Sequence, residues 1–328
     1  MTLSHSHSAL PSGIYVPSPT FFVSKTAATY STFDPPIDLE TQLKHTLHLA
    51  KSGIHGVVLL GSTGEAVHIT REERKLLLAY VRQGLDKEGY ANFPIIAGTG
   101  TNSTVETVEL LNDAKECGAE YGLVLAPSYF ASAVTQRGLI EWFFQVADRS
   151  PIPILIYYYP GVSNNIYIAP STFETLAQHP NIVGTKLSHG NISHHTLLAQ
   201  NPVIKANNFT VFTGLGQQLL PILTIGAAGA IDALAGIFPK SVVHLYNLSI
   251  AGKIAEARKV QYVVSGAEEV VADLGAVGVK EGVARILGLG DGDGARLPLT
   301  GGLEGGDEAW NKKYKSAFDA VTKLEASL

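Results

Sequence analysis

The chain has 328 residues, of which 45% are hydrophobic and 16% are charged, and this composition excludes a disordered or fibrous protein while allowing a large buried core. The formal net charge of -5 provides no basic surface for a phosphate backbone, so we expect no nucleic acid partner. No uninterrupted apolar run approaches the ~20 residues that a membrane helix requires, so we expect no membrane span.

The N-terminal segment and the cysteine content bear on where the protein works. Cys117 is the only cysteine, so no internal disulfide can form and a reducing compartment is favoured. Residues 1–12 are polar and carry neither the apolar segment of a secretory signal nor an arginine-rich amphipathic pattern. We predict a cytoplasmic protein with a flexible N-terminal tail over residues 1–12, in which His5 and His7 lie in solvent rather than on a metal.

From residue 13 to about residue 236, short β-rich runs alternate with segments of helical periodicity, which is typical of βα units on a parallel sheet. The predicted strands are residues 13–16, 56–60, 93–97, 121–126, 152–157, 182–186, 209–213 and 229–233. The predicted helices between them are residues 39–50, 71–85, 105–115, 136–147, 172–177, 193–199 and 217–225. Eight such units in roughly 230 residues predict a (β/α)8 TIM barrel, since a doubly wound sheet usually stops at about five or six strands.

The rest of the chain, residues 237–328, reads as helices. They are predicted at residues 242–250, 254–271, 277–287 and about 308–324, with a loop rich in Gly and Asp at residues 288–306. We interpret this part as the last barrel helix followed by a C-terminal helical appendage that packs on the barrel. No second catalytic domain is implied.

Two residues at the ends of neighbouring predicted strands suggest chemistry, because the active site of such a barrel lies at the carboxyl ends of its strands. Lys186 ends a mostly apolar strand, and burial of an ammonium group favours the free amine, which attacks carbonyls. Tyr157 ends the preceding strand, where a phenol can move protons. Alone, Lys186 would more often be a surface lysine and Tyr157 a packing residue. Their placement at one rim favours imine chemistry.

Three further segments could contribute to a site. Ser62 and Thr63 offer hydroxyl and backbone N–H groups that suit a small carboxylate, although turns rich in such residues are also common for conformational reasons. Gly214 opens a glycine-rich turn that we expect to contact the distal hydroxyls of a sugar acid. His189 and the pair His194 and His195 are expected in a solvated loop and helix start. No metal-binding motif is present in the sequence, so we expect neither a metal nor a cofactor.

Together, seven motifs resemble the dihydrodipicolinate synthase and N-acetylneuraminate lyase superfamily over residues 13 to about 288. They are Gly13-Ile14 leading to Pro19-Thr20-Phe21, Gly61-Ser62-Thr63-Gly64-Glu65, Gly98-Thr99-Gly100, Pro127 followed by Tyr129, Tyr157 three residues before Pro160, Gly184-Thr185-Lys186, and Thr213-Gly214.

The resemblance implies roles for individual residues. Lys186 would form a Schiff base with a 2-oxo acid, Tyr157 would handle protons together with Thr63, and Ser62 with Thr63 would bind the pyruvyl carboxylate. Tyr129 would relay protons across a subunit interface, which requires at least a dimer; the resemblance suggests a tetramer. Substrate contacts beyond the pyruvyl unit would come from Ser188, Gly214 and Ile231.

The chain also departs from the synthases of this superfamily. Val162 occupies the place of an arginine that holds the carboxylate of their second substrate, and Tyr158 replaces an asparagine. Residues 150–153 and 178–184 are instead similar to 4-hydroxy-2-oxoglutarate aldolases and to fungal aldolases that cleave 3-deoxy-2-ulosonates such as L-threo-3-deoxy-hexulosonate.

We therefore expect a class I aldolase that cleaves a small 2-oxo acid to pyruvate and an aldehyde. The alternatives are a dehydratase or synthase of the same superfamily, such as a deoxyhexarate dehydratase or dihydrodipicolinate synthase, and a non-catalytic barrel that binds a 2-oxo acid. Only the aldolase releases pyruvate from a 3-deoxy-2-ulosonate.

Overall fold

The computed structural model describes residues 8–328, and in it eight parallel strands close into a barrel in the order of the sequence. The strands are Gly13–Pro17 (β1), Gly56–Leu59 (β2), Ile95–Thr99 (β3), Tyr121–Leu125 (β4), Ile154–Tyr158 (β5), Ile182–Leu187 (β6), Thr210–Thr213 (β7) and Gly229–Ile231 (β8). The predicted (β/α)8 barrel is confirmed, because a strand is found at each predicted position.

Helices surround the barrel and continue past it. They are Leu39–Lys51 (α1), Arg71–Lys87 (α2), Thr104–Glu116 (α3), Gln136–Ala147 (α4), Pro170–Leu176 (α5), Ile192–Ala199 (α6), Pro202–Ala206 (α7), Leu219–Thr224 (α8), Pro239–Ile250 (α9), Ile254–Leu287 (α10), Gly306–Lys313 (α11) and Lys315–Ala326 (α12). No helix of residues 8–328 is long and apolar enough to cross a membrane.

Three details of the helices differ from the predictions. The short helix α7 was not predicted, because its five residues are too few to establish a periodicity, although Pro202 and the capping side chain of Asn201 begin it. The predicted final helix is broken at Tyr314 into α11 and α12. The two helices predicted at residues 254–271 and 277–287 form the two arms of α10, joined at Gly275, whose φ of 55° and ψ of -132° are not helical.

Side-chain hydrogen bonds cap the N-termini of α2 and α3, the helices that follow β2 and β3. Thr70 and Glu73 form a reciprocal capping box at the start of α2. Ser103 accepts a hydrogen bond from the backbone N–H of Glu106 at the start of α3. Because these caps fix where each helix starts, they also fix the length of the loops that carry the strand-end residues.

The inside of the barrel is filled by inward-facing side chains, among them Tyr15 and Phe212, and is closed at its N-terminal end by Leu10. Leu10 is fully buried, and the Tyr15 hydroxyl donates a hydrogen bond of 2.8 Å to the Pro11 carbonyl. The predicted flexible tail over residues 1–12 does not include Leu10, because this apolar residue completes the core. Residues 1–7, with the predictions for His5 and His7, lie outside the described residues.

The C-terminal appendage is tied to the loop between β2 and α2 by buried charges. Lys280, in the second arm of α10, contacts the Glu65 carboxylate and donates to the Gly294 carbonyl at 2.7 Å. Arg296, from the loop after α10, donates to the Glu73 carboxylate at 2.5 Å and to the His68 carbonyl at 2.8 Å. The predicted appendage thus packs directly against the loop that carries Ser62 and Thr63.

Candidate active site

Lys186 lies near the carboxyl end of β6 and is buried, with only 3% of its surface exposed. Its Nζ lies 4.5 Å from the centre of the Tyr157 ring. Burial lowers the pKa of Lys186 to about 7, although the nearby negative charge of Asp232 raises it in part. A substantial share of the amine is therefore uncharged near neutral pH, which is the form that attacks a carbonyl.

Tyr157 stands directly beside Lys186, since the two residues are register partners on β5 and β6. Its hydroxyl lies 3.0 Å from Ser62 Oγ and is also within hydrogen-bonding reach of Ser188. Burial raises the pKa of Tyr157 to about 12, so the phenol keeps its proton at neutral pH. A neutral phenol can accept a proton from a substrate only if it passes its own proton to a neighbouring hydroxyl. The position of Tyr157 between two hydroxyls therefore suits a proton relay.

The turn after β2 holds Ser62 and Thr63 at the same rim. Its conformation is tight, because a Cβ at position 64 would lie 3.0 Å from the backbone nitrogen of Leu60 and Glu65 has a φ of 52°. The Glu65 carboxylate forms a buried ion pair with Lys280. The structure places Ser62, rather than Thr63, against the phenol of Tyr157, and the predicted relay through Thr63 stays a prediction.

These residues line one cavity of about 200 Å³ at the carboxyl end of the barrel. This volume lies below the roughly 300–1,000 Å³ that is usual for drug-sized ligands, so the cavity suits a small acid. All but one of the predicted site residues line it, namely Ser62, Thr63, Tyr157, Lys186, Ser188, Gly214 and Ile231. Val162 also lines the cavity, where it contributes an apolar wall and no charge.

Two buried carboxyl groups were not predicted. Asp232 directly follows β8, and its two oxygens accept hydrogen bonds of 3.0 Å from the backbone N–H groups of Gly216 and Ala235. Glu268 comes from α10, lines the cavity and is hydrogen-bonded to Asp232. Burial, followed by the charge of Asp232, raises the pKa of Glu268 well above its usual range. The pair therefore holds one proton, which resides on Glu268 because Asp232 already has two donors.

A family comparison agrees with this arrangement. The model of the dihydrodipicolinate synthetase family matches residues 23–315. The chain belongs to this family. The superfamily inferred from the sequence motifs is thereby confirmed.

Two relatives are similar to this member of the dihydrodipicolinate synthetase family over nearly their whole length. An Emericella nidulans protein named "Probable 4-hydroxy-2-oxoglutarate aldolase, mitochondrial" is 40% identical over 316 residues, which are 96% of each chain. An Aspergillus niger protein named "L-threo-3-deoxy-hexylosonate aldolase" is 33% identical over 333 residues, covering 95% of this chain and 96% of that one. The predicted likeness to aldolases of these two kinds is confirmed.

A crystal structure of a dihydrodipicolinate synthase family protein from Coccidioides immitis has the same fold. It is 33% identical, superposes with a TM-score of 0.82, and the match covers 99% of this chain and all of that one. The likeness extends through the C-terminal helices, which therefore belong to the fold that the two chains share.

Tyr129 is the one predicted site residue that does not line the cavity. Its side chain is 77% exposed in the loop after β4, where its backbone N–H donates to Asn102 Oδ1 at 2.9 Å. Tyr129 therefore does not contact Tyr157 within this single chain. Its predicted role across a subunit interface stays a prediction.

Two of the three histidines after β6, His194 and His195, differ from their prediction. His194 and His195 are buried, and the ring of His189 stacks on that of His194 with centroids 4.7 Å apart. The expected solvated loop and helix start is wrong for these two, because α6 begins directly after the strand and packs its first turn against Tyr158 and Phe173. Burial lowers the pKa of His194 to about 4. Residues 8–328 contain no group of three His, Cys, Asp or Glu arranged to hold a metal ion.

Proposed function

We propose that this protein is a class I aldolase, a carbon–carbon lyase that cleaves a 4-hydroxy-2-oxo acid or a 3-deoxy-2-ulosonate to pyruvate and an aldehyde. The observation that carries the proposal is the buried amine of Lys186, whose lowered pKa makes it a nucleophile next to the phenol of Tyr157. The names of the aldolase relatives and the absence of an arginine at position 162 support the same reaction.

The first half of the reaction forms an imine. Ser62 and Thr63 bind the C1 carboxylate through their hydroxyl and backbone N–H groups, which places C2 against Lys186. The amine attacks C2, and loss of water gives a protonated imine, which serves as the electron sink. Lys186 is buried, which keeps part of its amine uncharged and reactive before the substrate arrives.

The second half breaks the C3–C4 bond. Tyr157 accepts the proton of the C4 hydroxyl while its own proton passes to Ser62, whose hydroxyl releases its proton to water in the cavity. The bonding electron pair moves into the imine, so the aldehyde leaves and an enamine remains on Lys186. Protonation at C3 and hydrolysis of the imine then release pyruvate and restore the free amine.

Replacing Tyr157 with phenylalanine separates imine formation from bond cleavage. We expect Tyr157→Phe to lower kcat for pyruvate release by roughly 10²–10⁴-fold, because the general acid–base group is lost. Imine formation between Lys186 and added pyruvate should remain detectable by borohydride trapping. Equal cleavage rates in Tyr157→Phe and the wild type would remove Tyr157 from the mechanism.

The pH dependence should follow the lowered pKa of Lys186. Only the uncharged amine reacts, so the rate of imine formation with pyruvate should rise with pH and reach half its maximum near pH 7, since the pKa lies at about 7. Asp232→Asn removes the charge that raises this pKa, so the midpoint should move to lower pH. Asp319→Asn on α12 serves as the control and should leave the midpoint unchanged. A rate that still climbs above about pH 9 would assign Lys186 an ordinary pKa.

An assay of pyruvate release tests the proposed function. Purified protein is incubated with L-threo-3-deoxy-hexulosonate and, separately, with 4-hydroxy-2-oxoglutarate, and pyruvate is followed with lactate dehydrogenase. The proposal expects turnover of at least one substrate. A dehydratase would consume substrate without pyruvate, and a non-catalytic barrel would leave the substrate intact.

The location and the oligomeric state belong to the proposal as well. A cytoplasmic location is proposed because the single cysteine, Cys117, favours a reducing compartment, whereas the name of the Emericella nidulans relative places that protein in mitochondria. A dimer or tetramer is proposed because Tyr129 and Phe130 form an exposed aromatic pair at the rim. Light scattering of the purified chain measures its mass directly.

A further inference from the structure

Two buried carboxyl groups converge over Gly216, in the turn that follows β7. Asp232 and Glu268 are only 1% and 2% exposed. A Cβ at Gly216 would collide with Glu268 Oε1 and would lie 2.8 Å from Asp232 Oδ1, so both carboxyl groups occupy the space above this glycine. Two ionised carboxylates at such a distance repel each other, so the pair shares a proton.

The shared proton lies on Glu268. The two oxygens of Asp232 each accept a hydrogen bond of 3.0 Å, from the backbone N–H groups of Gly216 and Ala235. Glu268 Oε1 has no such donor among the described residues, and the Glu268 carboxyl group is hydrogen-bonded to Asp232. A carboxyl group with fewer donors holds a proton more readily, so Glu268 donates and Asp232 accepts as a carboxylate.

Helix α10 fixes this arrangement through two side chains on one face. Gln261 and Glu268 stand at positions i and i+7 of the helix, which lie on the same side. The Gln261 amide donates to the Gly216 carbonyl at 3.0 Å and accepts from the backbone N–H of Leu220 at 2.8 Å. The turn after β7 is therefore bound to α10, and the two carboxyl groups are preorganised.

The charge of Asp232 acts on Lys186. The turn that carries Gly216 also borders the lysine, because a Cβ at Gly214 would lie 3.0 Å from Lys186 Cε. Burial lowers the pKa of Lys186 and raises the pKa of Asp232, and the charge of each group opposes this effect on the other. Each group thus stabilises the charged form of its neighbour.

The other polar groups of the cavity wall carry no negative charge. The ionisable side chains among the described residues that line the cavity are Tyr157, Tyr159, Lys186 and Glu268. Burial raises the pKa of both phenols, so they stay neutral, and Glu268 keeps its proton. Gln217 in the same wall is an uncharged amide, which contributes a dipole only.

Ionisable groups on the neighbouring elements do not replace Asp232. Glu269 on α10 is exposed, so solvent screens its charge. His45 from α1 lies 2.7 Å from the Gly236 carbonyl, in the segment that follows Asp232. Burial lowers the pKa of His45 to about 4, so this ring is neutral at the pH at which the lysine reacts.

We propose that Asp232 is the buried counter-ion of the protonated imine on Lys186, and that Glu268 is a positioning residue that keeps Asp232 ionised by donating a hydrogen bond to it. Imine formation releases the carbonyl oxygen as water and takes up one proton from solvent, so a neutral amine becomes a cation. This inference rests on the proposed aldolase function and adds two residues to its mechanism. It also gives the helical appendage, which supplies Glu268, a part in the chemistry.

The first measurement is the pyruvate concentration that half-saturates imine formation, read as the borohydride-stable adduct by mass spectrometry. Glu268→Leu leaves Asp232 buried without its donor, so Asp232 takes up a proton and the imine loses its counter-ion. We expect the half-saturating concentration to rise by about 3–10-fold. Glu268→Gln still donates to Asp232 through its amide and should stay within about twofold of the wild type. Glu256→Leu, at an exposed position of the same helix, is the matched control.

The second measurement separates an electrostatic role of Glu268 from a structural one. If Glu268 acts through Asp232, Glu268→Leu should move the midpoint pH of imine formation downward, as Asp232→Asn does, by up to about one pH unit. The double variant should shift no further than Asp232→Asn alone. A structural residue would lower the amount of adduct without moving the midpoint. An unchanged midpoint in Glu268→Leu, or additive shifts in the double variant, would overturn the proposal.

A measurement on the wild type covers the case in which Glu268→Leu does not fold. Infrared difference spectra with and without pyruvate should contain the C=O stretch of a protonated carboxyl group, and Glu268→Gln should lack it. A wild type without this band would contradict the assignment of the proton to Glu268. Asp232→Asn alone should still raise the half-saturating pyruvate concentration, and an unchanged value would contradict its role as counter-ion.

The wild type also distinguishes the failure of this inference from the failure of the proposed function. If it forms an adduct with pyruvate and cleaves a substrate while the variants behave as the wild type, only the counter-ion is overturned. If it forms no adduct and releases no pyruvate from either substrate, the proposed function itself fails.

Discussion

Lys186→Met should abolish pyruvate release, with a fall in kcat of at least about 10³-fold, while leaving the fold intact. Methionine has nearly the length of lysine and fits a buried site, but it cannot form an imine. The loss would reach both the cleavage of substrate and the trapping of pyruvate. Steady-state kinetics and borohydride trapping of the same preparation measure the two effects.

The same variant should be more stable than the wild type. Because burial lowers the pKa of Lys186 to about 7 from an unfolded value of 10.5, the unfolded chain holds this proton more tightly than the folded one. The resulting destabilisation is greatest below pH 7 and fades as the pH rises toward 10.5. The melting temperature of Lys186→Met should therefore exceed that of the wild type, most clearly in mildly acidic buffer. An unfolded Lys186→Met protein, or a variant that retains cleavage, would contradict this account.

Lys280→Met should destabilise the protein by about 3–5 kcal/mol, because it leaves the buried carboxylate of Glu65 without its ammonium partner. The side chains of Lys280 and Glu65 are only 3% and 1% exposed. For a chain of this length, such a loss lowers the melting temperature by roughly 4–8 °C. Thermal unfolding followed by circular dichroism measures the shift.

The exposed pair of Lys44 and Glu40 provides the control for Lys280→Met. These side chains are 64% and 77% exposed, so Lys44→Met should change stability by less than about 1 kcal/mol. The double variant Glu65→Leu/Lys280→Met should recover part of the loss, since it no longer buries an uncompensated charge. A melting temperature of Lys280→Met equal to that of Lys44→Met would show that this ion pair does not hold the appendage in place.

Loss of the Lys280 contact should also affect substrate binding. Glu65 is two residues from Thr63 and has a left-handed backbone conformation that is costly for a non-glycine residue. Without Lys280 the turn is free to relax, which would raise KM for 2-oxo acids more than it lowers kcat.

The fold and the main site residues could be predicted because they follow from local patterns in the sequence. Alternating βα periodicity defines the barrel, and the barrel places strand-end residues at one rim. Lys186 and Tyr157 lie on consecutive strands, so their proximity follows from the topology alone. Asp232 directly follows the eighth strand and could have been found by the same criterion.

Other features depend on long-range packing that no local pattern reveals. Glu268 lies in a helix far along the chain from any barrel strand, and its neighbour Glu269 is exposed, so the local sequence does not distinguish a buried carboxyl group from a surface one. Leu10 lies in a mostly polar segment, and its burial depends on the open N-terminal end of the barrel. His194 and His195 are buried because α6 packs closely on Tyr158, which the polarity of the segment does not indicate.

Incubation of the wild-type protein with pyruvate and borohydride, followed by peptide mass spectrometry, tests the central claim most directly. The account predicts a reduced pyruvyl adduct on the peptide that contains Lys186, and no adduct in Lys186→Met. The absence of an adduct in the wild type, or its location on a different lysine, would contradict the assignment of Lys186 as the imine-forming residue.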